Sequence, residues 1–227
     1  MKIIDLIEYD ISNYKEASMF IITCKCSFKC DKENGTKICQ NSHLAKSKAI
    51  EIDDADIVNR YINNPLTNAI VFGGLEPFDQ FQELYDLVKA FRTLTEDTIV
   101  VYTGYNEDEI SKQTQKLADF RNIIIKYGRF IPNQNKHFDD ILGVELASDN
   151  QYAKFLKKLK IKQSNDKELV ATIEAALKKN KEQYGARYCP CSMKRNEDTI
   201  CPCKAFREQF TPGPCHCGKF EKVNKKQ

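Results

Sequence analysis

Short unbroken apolar runs alternate with stretches of helical spacing along the first part of the chain. MFIITC (19–24), NAIVFGG (68–74), TIVVYTG (98–104) and NIIIKYG (122–128) read as strands, and the last three end at glycine. Between them, DDADIVNRYINN (53–64) opens with capping aspartates and sets Ile57 and Tyr61 one helical turn apart. FDQFQELYDLVKAFRT (78–93) lines Phe81, Leu84, Val88 and Phe91 along one helical face, and NEDEISKQTQKLADF (106–120) is also helix-like. Strands alternating with helices of this length predict parallel βαβ units, hence an α/β fold. Right-handed crossovers then bring the C-terminal ends of the strands to one edge, where such folds place their sites.

The pattern changes near Ser164. KELVATIEAALKKNKEQYG (167–185) predicts one amphipathic helix with Leu169, Ile173 and Leu177 in line and Gly185 as its stop. Polar SNDK (164–167) marks the boundary, which predicts two domains, residues 1–163 and 164–227. A chain of 227 residues, 41% hydrophobic and 30% charged, suits one medium domain and one small one. A net charge of +3 gives no footprint for nucleic acid. The lysine runs LKKLKIK and EKVNKKQ read as solvated surface and a frayed tail. MKIIDLIEYD lacks the uninterrupted apolar stretch of a signal peptide, and no run approaches a membrane span. The expected location is therefore the cytoplasm, where clustered cysteines more often bind metal or do redox chemistry than form structural disulfides.

The ten cysteines fall into two groups. Cys24, Cys26, Cys30 and Cys39 come first, then 149 residues carry none, and six follow in CPC, CPC and CHC pairs. In CSFKCDKENGTKICQN, three residues separate Cys26 from Cys30, and eight separate Cys30 from Cys39. Three thiolates on a loop after the first strong strand can hold three irons of a 4Fe-4S cluster and leave the fourth open to a small chelating molecule. Cys24 is an alternative first ligand, or a fourth that closes the site. A zinc ribbon needs Cys-x-x-Cys knuckles that this stretch lacks.

These residues resemble the radical S-adenosylmethionine superfamily, and most of all the activating proteins of anaerobic ribonucleotide reductase. Relative to that family's cysteine loop, this chain carries a six-residue insertion before Cys39, while CQN resembles the segment after the family's third cysteine. VFGGLEPFDQ resembles the family's Gly-Gly-Glu-Pro segment, with Leu75 inserted. The resemblance implies that Gly73, Gly74, Glu76 and Pro77 meet S-adenosylmethionine, the Glu76 carboxylate pairing with its ammonium. VYTGY, which contains Thr103, resembles the next cofactor-proximal strand, and GRFIPNQNKHFDDILGVELASDNQ adds Ser148, Asn150 and Gln151. The implied fold is a partial (β/α) barrel of radical S-adenosylmethionine type.

The C-terminal pairs, with the helix before them and the CHCGKF ending, resemble the catalytic chain of ferredoxin–thioredoxin reductase. That resemblance implies a small, mainly helical domain in which Cys189, Cys201, Cys203 and Cys215 hold a second 4Fe-4S cluster. It makes Cys191 and Cys217 a redox disulfide and gives His216 the handling of protons. The gaps of nine and eleven residues between pairs depart from the plant-type spacing. The alternative for this stretch is a zinc cluster of six cysteines and a histidine.

Joined, the two halves suggest an enzyme that cleaves S-adenosylmethionine to make a glycyl radical on an anaerobic ribonucleotide reductase or another glycyl-radical enzyme. Its C-terminal domain would reduce a protein disulfide or relay electrons, with ferredoxin, flavodoxin or a thioredoxin-like protein as partner. The alternatives are a disulfide reductase whose N-terminal domain only docks a partner, and a zinc-stabilised interaction module.

Overall fold

The computed structural model describes residues 1–156, 159–207, 209 and 212–224. Two compact units, Met1–Leu156 and Lys157–Gln227, make up the chain. The first contains strands β1 (Lys2–Asp10), β2 (Ser18–Thr23), β3 (Ile50–Glu51), β4 (Ala69–Gly74), β5 (Thr98–Tyr102), β6 (Ile123–Tyr127), β7 (His137–Asp139), β8 (Val144–Leu146) and β9 (Tyr152–Phe155). Helices α1 (Lys29–Asn34), α2 (Asp54–Ile62), α3 (Phe81–Phe91) and α4 (Ser111–Leu117) connect them. Seven strands form one sheet in the order β3-β1-β2-β4-β5-β6-β9, and β7 pairs with β8 in a separate ribbon.

The centre of the sheet is parallel: β2 pairs with β4, β4 with β5 and β5 with β6. Its strands are continuous apolar runs because both faces are covered. Ile70, Phe72, Ile99 and Val101 pack with Ile57, Leu84, Val88 and Phe91 on one side. Val71, Val100 and Ile124 pack with Tyr14, Leu142 and Leu146 on the other. Each such side chain taken from water contributes about 1.5–3 kcal/mol. Asp53 starts α2 by accepting a hydrogen bond from the Ala55 amide at 2.8 Å.

The mixed α/β sheet is open, and no barrel forms among the described residues. The reason lies at its margins, where β1 and β9 pair antiparallel with β2 and β6, so the parallel series stops at four strands. The first unit therefore differs from the expected partial barrel.

The second unit contains β10 (Leu159–Gln163), helices α5 (Lys167–Tyr184) and α6 (Lys204–Arg207), and strands β11 (Gly213–Pro214) and β12 (Phe220–Asn224). Asp166 caps α5 through the Leu169 amide at 2.9 Å, and Gly185 ends it at φ 84°. Strands β10, β12 and β11 form a three-stranded sheet, so the unit mixes helix and sheet rather than being mainly helical. Since β10 pairs with β12, the strand before the expected boundary at 163/164 belongs with the second unit.

The first lysine run keeps Lys160 and Lys162 exposed, as expected of solvated surface, whereas the second is partly buried. Leu159–Lys162 of the first run lies in β10, and Lys157 and Lys158 fall outside the described residues. In the second run Lys222 is buried and donates to the carbonyls of Arg207 and Gln209 at 2.7 and 2.6 Å. Its end, residues 225–227, also lies outside the described residues. No helix among the described residues is long and apolar enough to cross a membrane.

Candidate metal centres

The first cysteine loop leaves β2 at the edge where the parallel strands end. Phe28 takes the left-handed conformation (φ 52°), its amide donates to Cys26 Sγ at 3.2 Å, and α1 then carries Cys30. Gly35 turns the chain back at φ 68°. The Asp31 carboxylate accepts hydrogen bonds from the Ile38 amide at 2.9 Å and the Cys39 amide at 2.8 Å. Beyond Cys39, Asn41 Nδ2 donates to the Gly74 carbonyl at 2.7 Å, tying the segment to the end of β4. The Glu76 amide donates to the Lys25 carbonyl at 2.8 Å from the other side.

These turns bring Cys26, Cys30 and Cys39 to one cavity of about 380 Å³. Gly73, Gly74, Glu76, Thr103 and Gln151 also line it. Pro77, Ser148 and Asn150 do not. Pro77 is buried in the short 3₁₀ turn after Glu76. Ser148 Oγ accepts from the Ile131 amide at 3.4 Å, and Asn150 Nδ2 donates to the Arg129 carbonyl at 2.8 Å. Cys24 is placed apart from the other three, with its sulfur 3.5 Å from the Lys2 carbonyl and from Gln80 Oε1.

Glycine matters at two positions. Gly74 has φ 88°, and a Cβ there would lie 2.5 Å from Ile22 Cγ2. On Gly104 a Cβ would lie 3.3 Å from Cys30 Sγ, a tight contact that the thiol could accept only by shifting a few tenths of an ångström.

Charge around the cavity is set by burial. Glu76 accepts from Thr103 Oγ1 at 2.7 Å, the Gly104 amide at 2.9 Å and the Phe78 amide at 3.1 Å. Burial outweighs these donors and pushes its carboxyl up to about 7. Lys126 of β6 also lines the cavity and donates to the Gly128 carbonyl at 3.0 Å. Burial pushes its ammonium down to about 8. The sequence signal for this residue is a single lysine inside an otherwise apolar strand. Burial also raises all three thiols, Cys26 to about 12, so an ionised sulfur here requires a cationic partner. Three soft donors in one concavity suit iron, and they would fit a 4Fe-4S cluster.

In the second unit, a Tyr188–Ile200 bridge aligns the first two cysteine pairs. The Cys189 amide donates to the Thr199 carbonyl at 2.7 Å, and the Cys201 amide to the Arg187 carbonyl at 2.9 Å. Gly218 follows the third pair at φ 76°, where a Cβ would lie 2.8 Å from Leu169 Cδ2 of α5. Cys189, Cys201, Cys203, Cys215 and Cys217 line one tight pocket closed by Phe206 and Phe220.

Cys191 is exposed and lies outside that pocket, on a neighbouring bay that also reaches Cys189, Cys203 and His216. The sulfurs of Cys189, Cys191 and Cys217 lie within 4.8 Å of one another, and those of Cys215 and Cys217 are 3.5 Å apart. Burial, together with the neighbouring Cys215 thiol, pushes Cys217 up to about 12. The four expected ligands share their pocket with Cys217, and Cys189 lies as near to Cys191 and Cys217 as these expected disulfide partners lie to each other, so the arrangement gathers the six thiols without dividing them into ligands and a redox pair. Such a donor set also fits a 4Fe-4S cluster.

Residues 17–152, more than half the chain and all of the first cavity's lining except Asn13, match the family model of the 4Fe-4S single cluster domain. The chain belongs to that family. Residues 140–226, which include all six paired cysteines, match the ferredoxin thioredoxin reductase catalytic beta chain. No curated protein and no solved structure matches the chain. Membership in the 4Fe-4S single cluster domain family and the second match make the chain an iron–sulfur redox protein.

Proposed function

We propose that the first unit binds and reductively cleaves S-adenosylmethionine, and that the second carries its own 4Fe-4S cluster and exchanges electrons with a protein disulfide. The observation that carries the first part is the single cavity in which Cys26, Cys30 and Cys39 face Gly73, Gly74, Glu76, Thr103 and Gln151. When bound, a 4Fe-4S cluster supplies a single electron and an open iron for the amino-acid end of the cofactor. The protein's part is positioning. Gly73 and Gly74 let the backbone come close, and the Glu76 carboxylate pairs with the cofactor ammonium while Thr103 and Gly104 hold it in place. Pro77 fixes the turn after Glu76, and Ser148 and Asn150 hold the loop that delivers Gln151.

In the second unit, Cys189, Cys201, Cys203 and Cys215 hold the cluster. Cys191, the exposed thiol, exchanges with a partner disulfide, Cys217 closes the resolving bond and His216 manages the proton. Ferredoxin or flavodoxin is the proposed donor, and a thioredoxin-like protein or the radical enzyme itself the acceptor. The proposed target of the first unit is an anaerobic ribonucleotide reductase or another glycyl-radical enzyme.

The test is spectroscopic. Adding S-adenosylmethionine to the reduced, iron-loaded chain should change the electron paramagnetic resonance signal of one cluster. The Cys39→Ser chain should show no such change. A spectrum indifferent to the cofactor in wild type would favour the plain disulfide reductase, in which the first unit only docks a partner.

A further inference from the structure

We infer that Asp31 is a positioning residue for the third cysteine: its carboxylate closes the inserted loop and so delivers Cys39 to the cavity. This rests on reading Cys39 as an iron ligand. Eight residues separate Cys30 from Cys39, and a segment of that length sets no fixed distance between its ends. The structure nevertheless brings both thiols to one cavity. One oxygen accounts for it. Asp31 Oδ1, one residue after Cys30, accepts both the Ile38 and Cys39 amides, so the loop is short-circuited by a side chain.

The base of that clasp is itself fixed. Asp31 sits in α1, and Glu33 and Lys29 of the same helix form ion pairs with Arg129 and Glu109. Arg129 is buried just beyond β6 and pairs with Glu109 at 2.6 Å. The chain of contacts therefore runs from the end of the central sheet, through Arg129 and α1, to the backbone amide of Cys39. Asn41 on Gly74 holds the far side. Residues 32–37 are exposed and a Cβ on Gly35 would meet nothing within 4 Å, so the tip of the insertion has no buried side chain to seat it, and the Asp31 hydrogen bonds close the loop. What the clasp requires is an acceptor oxygen at the Oδ1 position. Asn supplies that and Ala does not.

The experiment uses the full chain as wild type and as the Asp31→Ala, Asp31→Asn and Cys39→Ser variants, each anaerobically reconstituted with iron and sulfide. In Asp31→Ala, hydrogen exchange at the Ile38 and Cys39 amides should quicken. Alkylation of Cys39 in the iron-stripped chain should speed up about five- to tenfold, the equivalent of losing one or two hydrogen bonds. Iron should fall from about eight to about four per chain, one 4Fe-4S cluster. Asp31→Asn should restore most of the iron and the slow alkylation. The inference is overturned if Asp31→Ala keeps wild-type iron and Cys39 reactivity. It is also overturned if folded Asp31→Asn fails as badly as Asp31→Ala, or if both lose their far-ultraviolet dichroism. Full iron in Cys39→Ser sinks instead the reading of Cys39 as a ligand and leaves the Asp31 result to be judged on amide exchange and alkylation alone.

Discussion

At the scale of single residues, the roles proposed for Glu76 and Cys191 can be tested separately. Glu76 is buried, with three internal donors on its carboxylate. If it also meets the cofactor ammonium, Glu76→Gln should weaken S-adenosylmethionine binding by about 1.5–3 kcal/mol, as for a lost hydrogen bond to a charged group. Calorimetric titration of the iron-loaded chain checks this, and unchanged affinity would leave Glu76 as a strut between β4 and β5. Cys191 is exposed beside the tight pocket that the other five paired cysteines share. Cys191→Ser should therefore keep its iron, yet fail to reduce a thioredoxin-like disulfide. Loss of iron from that variant would make Cys191 a ligand. The sequence showed the thiol groups plainly, because cysteines spaced in pairs stand out in any chain. Asp31 was not legible, since its role exists only once the loop has closed.

At the scale of elements, the central strands were readable because both faces are buried, and Ile70, Val71 and Phe72 are accordingly an unbroken apolar run. Strand β1, between β3 and β2, is hard to read in the sequence because KIIDLIEYD interleaves acids with apolar residues and exposes much of one face. The strand β10 was missed because LKIKQ is mostly exposed and gains its place only by pairing with β12, about 60 residues later. Helix α1 owes its position to charge rather than to a buried face, since none of its residues is buried. Burial works against ionisation of Glu109, but hydrogen bonds from Arg129 and Lys29 outweigh it and hold the carboxyl down at about 2. A carboxylate depressed on folding contributes stability above its ordinary value of 4.5, and that contribution is lost as pH falls from there towards 2. Glu109→Gln should thus cost roughly 1.5–3 kcal/mol at pH 7 and very little at pH 2. Denaturant unfolding at the two pH values measures the difference, and an equal cost at both would mean that packing, not charge, seats α1.

At the scale of the whole molecule, two compact units each gather cysteines that lie far apart in sequence or in long loops. The first does so at the C-terminal edge of a parallel sheet, the second between paired turns and a three-stranded sheet. The open sheet, in place of a barrel, leaves the first cavity walled by four parallel strands and the loop that ends in Gln151. That is the space in which the account places S-adenosylmethionine. The measurement that tests this most directly is product analysis of the reduced, iron-loaded chain incubated with S-adenosylmethionine under anaerobic conditions. The account predicts 5′-deoxyadenosine that requires the reductant, vanishes in Cys26→Ser, Cys30→Ser and Cys39→Ser, and persists in Cys191→Ser. A chain holding iron at both sites that forms no 5′-deoxyadenosine would contradict it.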